Sequence, residues 1–157
     1  MPVAPGTFGS LAGMLWFAIL LQSKNFPVLL GGTIVGVALS VWLCGEGEKI
    51  LNQKDPGSIV FDEIAAMPVC FLSWTVIVTG KAGLVPPFDY FFSGQNWLLT
   101  LGVFAAFRFF DVAKPWPVRQ SQSLPGGWGV TIDDMLAAIY VNALVLAIYA
   151  VHMVVVQ

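Results

Sequence analysis

Arg108, Asp111 and Lys114 stand at three-residue intervals in the stretch Phe107-Arg108-Phe109-Phe110-Asp111-Val112-Ala113-Lys114-Pro115. On a helix Arg108 and Asp111 share a face, and Pro115 disfavours α conformation at Lys114, which puts the lysine at the helix end. Two cations beside one carboxylate suit a phosphate next to a metal ion. The plain structural account is an interfacial ion pair with a lysine reaching for water. Two acidic pairs, Asp62-Glu63 and Asp133-Asp134, open an earlier and a later apolar run. Thr131-Ile132-Asp133-Asp134 also reads as a capping box ending in aspartate, and acids suit a first helical turn. Taken together the pairs supply four carboxylates, and Asp111 makes a fifth. Like charges at one depth repel and resist ionisation unless cations sit among them. Hard oxygen donors with no histidine or cysteine beside them suit Mg²⁺, or else Mn²⁺.

Glycine and hydroxyl residues flank these groups. Gly126-Gly127-Trp128-Gly129 follows Pro125 and leads into Asp133-Asp134. Such a turn can offer backbone N–H groups to an anion, or can simply be a flexible loop. Ala4-Pro5-Gly6-Thr7-Phe8-Gly9-Ser10-Leu11 opens the first apolar run with Thr7 and Ser10, either as anion contacts or as a cap followed by packing through Gly9 and Gly13. Gly32 and Gly36 read as helix-packing residues. Cys44 and Cys70 have no metal or disulfide spacing and read as buried apolar residues. His152, the one histidine, lies in an apolar run, so histidine-based nucleophile schemes have little material.

The elements that must position these side chains are membrane helices. Of 157 residues, 57% are hydrophobic and 10% charged, against about 25% charged in a soluble chain, and the mean hydropathy is +0.81. So few charges cannot wet a globular surface, which excludes a disordered chain, a basic nucleic-acid binder and a disulfide scaffold. The net charge of −2 is too small to steer a partner. The expected fold is all-α: a small integral membrane bundle forming one domain over residues 1–157. About five transmembrane or partly embedded helices are expected, near residues 7–22, 26–44, 59–79, 97–112 and 133–156. The first and fourth are short against the roughly 20 residues that cross a bilayer. Met1-Pro2 puts no basic stretch ahead of the first run, so no cleavable signal is expected.

With five crossings, Lys49, Lys54, Arg108, Lys114 and Arg119 share one face, and Lys24 and Lys81 share the other. The positive-inside rule puts the first face in the cytoplasm. All acids except Asp89 lie on that face too. Asp62, Glu63, Arg108 and Asp111 are embedded in apolar sequence, where a charge costs about 2.5–3.5 kcal/mol at mid-membrane. They should therefore face the bundle and partner one another there. A transporter or channel with an acidic cation site is the rival reading; it wants ionisable groups distributed through the bundle depth. A purely structural subunit leaves the paired acids without a purpose. The Trp and Phe residues are expected mostly at the lipid face or in interfacial belts.

Four blocks then carry a resemblance: Ala4-Pro5-Gly6-Thr7-x-Gly9-Ser10-Leu11, Asp55-Pro56-x-x-Ile59-Val60-x-Asp62-Glu63, Phe107-Arg108-x-Phe110-Asp111-x-x-Lys114-Pro115-x-Pro117, and Gly129-Val130-x-x-Asp133-Asp134. In order and over almost the whole chain they resemble phosphatidylglycerophosphatase A. Ala65-Ala66 and Ala137-Ala138 stand where that family usually has a glycine. The resemblance implies a multi-pass, Mg²⁺-dependent phosphatase of the bacterial inner membrane, its site facing the cytoplasm. Its substrate would be phosphatidylglycerophosphate, and its products phosphatidylglycerol and phosphate. On this reading Asp62, Glu63, Asp133 and Asp134 hold one or two Mg²⁺, with Asp111 a further ligand or base. Arg108 and Lys114 bind the terminal phosphate, and Thr7, Ser10 and the Gly127 and Gly129 backbone help hold it. No nucleic-acid partner is expected, and the sequence leaves the oligomeric state open.

Overall fold

A computed structural model describes residues 5–155, and these are helical throughout apart from short connections. The helices are α1 (Pro5–Gln22), α2 (Phe26–Leu51), α3 (Phe61–Cys70), α4 (Leu72–Ala82), α5 (Phe88–Phe92), α6 (Trp97–Ala113), α7 (Val118–Ser121) and α8 (Gly127–Val155). Ala4 of the first sequence block and the expected end of the last span at Val156 lie outside the described residues.

Four stretches are long and apolar enough to cross a membrane: α1, α2, α3 with α4, and α8. The fifth expected segment is present as α6, with 17 residues, short of the roughly 20 a crossing takes. The expected boundaries shift in two places. Helix α2 continues past Cys44 to Leu51, where Asn52 caps it in the left-handed conformation. Helix α8 starts at Gly127, well ahead of Asp133, so the acidic pair lies inside the helix. Thr131 is therefore no N-cap: its hydroxyl shares a 2.9 Å hydrogen bond with Ser40 of α2.

The third span is broken. Pro68 sits inside α3, where it has no N–H to give the helix ladder, and the chain re-forms as α4 after Phe71. Asn142 of α8 fills the break. Its Nδ2 donates to Val69 O at 2.7 Å, and its Oδ1 accepts from Ser73 N–H at 2.8 Å. Val69 and Ser73 are four apart, so the amide stands between two groups that an unbroken helix would pair directly. In lipid such groups cannot turn to water.

Small residues set how closely the helices meet. A side chain at Gly9 would strike Val60 and Glu63 of α3, and one at Gly13 would strike Met67. Gly32 and Gly36 of α2 lie against Leu20 and Trp16 of α1. Ala65, Ala66, Ala137 and Ala138 are all buried, so alanine is small enough at those positions in this chain. Cys44 and Cys70 are buried and free. The aromatic residues divide rather than forming a belt alone. Phe17, Phe71, Phe91 and Trp74 stack into a buried cluster, because α5 folds Phe91 back between α1 and α4. Trp42, Phe109, Trp116 and Trp128 are exposed. Helix α2 also exposes Ile34, Val35 and Leu39, the apolar outer face that a bilayer would cover.

Candidate active site

Asp62 and Glu63 occupy the first turn of α3, where carboxylates meet the positive end of the helix dipole. Asp134 comes from α8, which packs along α3. One oxygen from each of Asp62, Glu63 and Asp134 falls within 4.8 Å of the others. Asp62 and Asp134 are buried, at 7% and 3% exposure. Asp62 Oδ1, Glu63 Oε2 and Asp134 Oδ2 are each buried without a hydrogen-bond partner. Three clustered carboxylates, each with an orphaned buried oxygen, repel unless a cation joins them. An all-oxygen donor set fits a hard divalent ion.

Cations stand beside the triad. Arg108 Nη1 lies 2.7 Å from Asp111 Oδ2 and 3.8 Å from Glu63 Oε1. Asp111 is therefore the partner of Arg108, one helical turn away, as its spacing predicts. That nitrogen makes no aligned hydrogen bond, so the guanidinium keeps donor capacity for an anion. Gly6 of α1 covers both groups. A Cβ there would come 2.8 Å from the guanidinium nitrogens and closer still to Glu63 Oε1. The glycine is what allows α1 to start directly over the ion pair.

Lys114 caps α6 in the left-handed conformation and donates from Nζ to Asp133 Oδ2 at 2.6 Å. Burial works against its ammonium, but the Asp133 hydrogen bond and charge outweigh burial, holding the amine above the ordinary lysine value of 10.5. Gln122 donates to the same Asp133 oxygen at 3.0 Å and to Asp55 Oδ2 at 3.3 Å. Asp133 thus stands outside the acidic triad, its Oδ2 engaged by Lys114 and Gln122. Its Oδ1 accepts the Asp134 backbone N–H at 3.0 Å.

The remaining sequence candidates fall around this centre in different ways. Ser10 is buried below Gly6 and donates to Gly6 O at 2.8 Å. Thr7 is half-buried beside Gly6. Gly127 and Gly129 sit in the first turn of α8. The nearest neighbours to a side chain at Gly127 would be Val41 O and Gly45 N of α2. At Gly129 they would be Leu124 O and Gln122 O. Their observed contacts are packing contacts, which seat α8 against α2 and the preceding turn.

Sequence reasoning passes over two residues. Gln122 lies in a polar run, Arg119-Gln120-Ser121-Gln122-Ser123, with nothing to set it apart from its neighbours. Asn142 had a signal: an amide in the middle of a long apolar helix, which demands partners.

The chain is similar to known proteins over most of its length. The sequence model of the family described as phosphatidylglycerophosphatase A matches residues 1–149. Phosphatidylglycerophosphatase A of Haemophilus influenzae is 36% identical over 146 residues, covering 92% of this chain and 78% of the relative. The Escherichia coli protein of the same name is 31% identical, over 88% of this chain and 70% of that one. A putative phosphatidylinositol-3-phosphatase of Bacteroides thetaiotaomicron is 33% identical, over 88% and 79%. No solved structure matches the chain.

Proposed function

The chain belongs to the phosphatidylglycerophosphatase A family of enzymes, and from that premise we propose Mg²⁺-dependent hydrolysis of the terminal phosphomonoester of phosphatidylglycerophosphate at the cytoplasmic face of the bacterial inner membrane. The observation that carries this reading is the clustered triad of Asp62, Glu63 and Asp134, each with an orphaned buried oxygen, beside an arginine. These three residues would hold the ion, Mg²⁺ or Mn²⁺. The ion supplies charge neutralisation at the phosphate and a more acidic water.

The rest follows from the chain's own residues. Arg108, fixed by Asp111, binds phosphate oxygens in a two-pronged grip and favours the charge that builds during transfer. Lys114 adds a second positive charge, aimed by Asp133 and Gln122. Thr7 and Ser10, which flank Gly6 and Gly9 in the first turns of α1, are assigned to help hold the phosphate. Gly127 and Gly129 serve by seating the start of α8, the helix that carries Asp134, against α2 and the preceding turn. The lipid tails stay in the bilayer while the head group meets charges at helix ends. Eight of the nine acids gather at this end and only Asp89 at the other, which leaves a transport path no matching acidic ring on the far side. The excess of Lys and Arg at the same end supports a cytoplasmic orientation.

Purified protein in detergent micelles with phosphatidylglycerophosphate should release inorganic phosphate with Mg²⁺ and stop when a chelator is added. Glu63→Gln should lower the rate by about 10²-fold or more. Full release in the presence of chelator would reject the metal role.

A further inference from the structure

At the end of the bundle opposite the carboxylates, a cavity of ≈520 Å³ opens between α4, α6 and α8. That is in the range of small-molecule sites, roughly 300–1,000 Å³. Its walls are mostly apolar, with Trp74, Leu99 and Ile148 among them, and Lys81 and His152 also line it. Lys81 is in the last turn of α4, and His152 is in the last turn of α8. Ile148 is 49% exposed on the outer surface, so the cleft opens sideways, where a bilayer would lie. A second cavity of ≈390 Å³ shares the Val78 and Tyr90 wall and carries Lys24.

Asp89 of α5 is the one acid at this end, and it is not part of either cavity lining. Among the described residues no carboxylate lines either cavity, and neither Lys81 nor Lys24 has a carboxylate within salt-bridge distance. Lys81 Nζ lies 4.6 Å from the centre of the Tyr149 ring. A quaternary ammonium head group would need an acid or a free aromatic face. The cleft offers no acid, the face of Tyr149 already belongs to Lys81, and Trp74 and Tyr90 are engaged with Phe71, Phe91 and each other. A phosphodiester with no compensating cation meets lysine and histidine directly. An aliphatic chain attached to it meets Trp74, Leu99 and Ile148.

We propose that this cleft binds one anionic glycerophospholipid of the leaflet away from the carboxylate triad, its phosphodiester at Lys81 and His152 and an acyl chain between α4, α6 and α8. The site is independent of the catalytic reading, since it shares no residue with it.

Native mass spectrometry of detergent-purified full-length protein tests the assignment, using dioleoylphosphatidylglycerol and dioleoylphosphatidylcholine as probes. The wild type should retain the anionic lipid about fivefold better, the preference expected from one lysine near a charged head group. Lys81→Gln should remove that preference while phosphate release stays at the wild-type rate. Ile148→Trp, which blocks the cleft from outside the core, should remove lipid retention altogether. Unchanged retention in both variants would overturn the proposal. So would retention that disappears only with Lys114→Gln, which would place the lipid at the catalytic end. Equal competition by soluble glycerol 3-phosphate would show a site for small anions. A dimer that Ile148→Trp converts to monomer, with no lipid bound, would show that a second copy fills the cleft; either result also overturns it.

Discussion

Asp134 illustrates what the site demands of single residues. Its Oδ2 is buried without a partner and its carboxylate clusters with Asp62 and Glu63, so without a cation it adds repulsion to the fold. Asp134→Asn should therefore match or exceed the wild type in thermal stability when a chelator is present. With Mg²⁺ the wild type alone should gain, by about 2.7 kcal/mol at a hundred times the dissociation constant. Differential scanning fluorimetry with and without Mg²⁺ reads both effects, and an equal Mg²⁺ shift in the variant would remove Asp134 from the binding set. Gly6 is the other sensitive position. Gly6→Ala pushes a methyl against Glu63 and the Arg108 guanidinium, and a misplacement near 1 Å costs about 10²-fold in rate. That loss should appear in phosphate release while the far-ultraviolet dichroism stays helical. Lys114 gives a pH expectation with a definite sign. Its amine is held above 10.5 by Asp133, so its contribution is complete below that pH and fades only as pH rises through the elevated value. A rate profile should thus show no alkaline limb from Lys114 below about pH 10. If Lys114→Arg abolishes a limb near neutrality, the ammonium is not held as the structure indicates.

The helices explain why part of this was legible in the sequence and part was not. Spacing alone paired Arg108 with Asp111, because three residues on a helix return to one face. Composition gave the membrane, because so few charges leave no other solvent, and the lengths of the apolar runs gave the helices. The start of α8 was not legible. Thr131 and the acidic pair imitate a helix beginning, whereas the chain is already helical from Gly127, packed on the α2 backbone by a glycine. Nor could sequence separate Asp133 from Asp134. Adjacent residues on a helix point about 100° apart, and only the position of α6 shows which one meets Lys114 and which meets the triad. Asn142 also belongs to this scale. Asn142→Leu leaves Val69 O and Ser73 N–H unpaired at the break between α3 and α4. A loss of about 1–3 kcal/mol is expected, read as a lower melting temperature in the same detergent. An unchanged melting temperature would mean that the break satisfies itself.

For the whole molecule, the placement of charge makes orientation testable. Ser123 lies at the carboxylate end and Gly94 at the other, and both are exposed. Ser123→Cys and Gly94→Cys, probed in intact cells with a membrane-impermeant maleimide, should label differently. Gly94→Cys should react from outside, and Ser123→Cys only after the inner membrane is opened. The native Cys44 and Cys70 are buried and should stay silent. Immediate labelling of Ser123→Cys would turn the molecule over and place its chemistry in the periplasm.

The amide that mends the third span has one more implication. Asp134, Ala138 and Asn142 fall at four-residue intervals along α8, so α8 grips its neighbour at two points on a common stripe. Asp134 meets the head of α3, and Asn142 meets its tail. The pair works like a vernier, setting at once how far α3 slides and how it is rotated. One alanine inserted between Ala138 and Asn142 throws the two points out of phase by about 100°. The chain must then give up either the carboxylate or the mended break, so this stretch should tolerate substitution far better than any change in length.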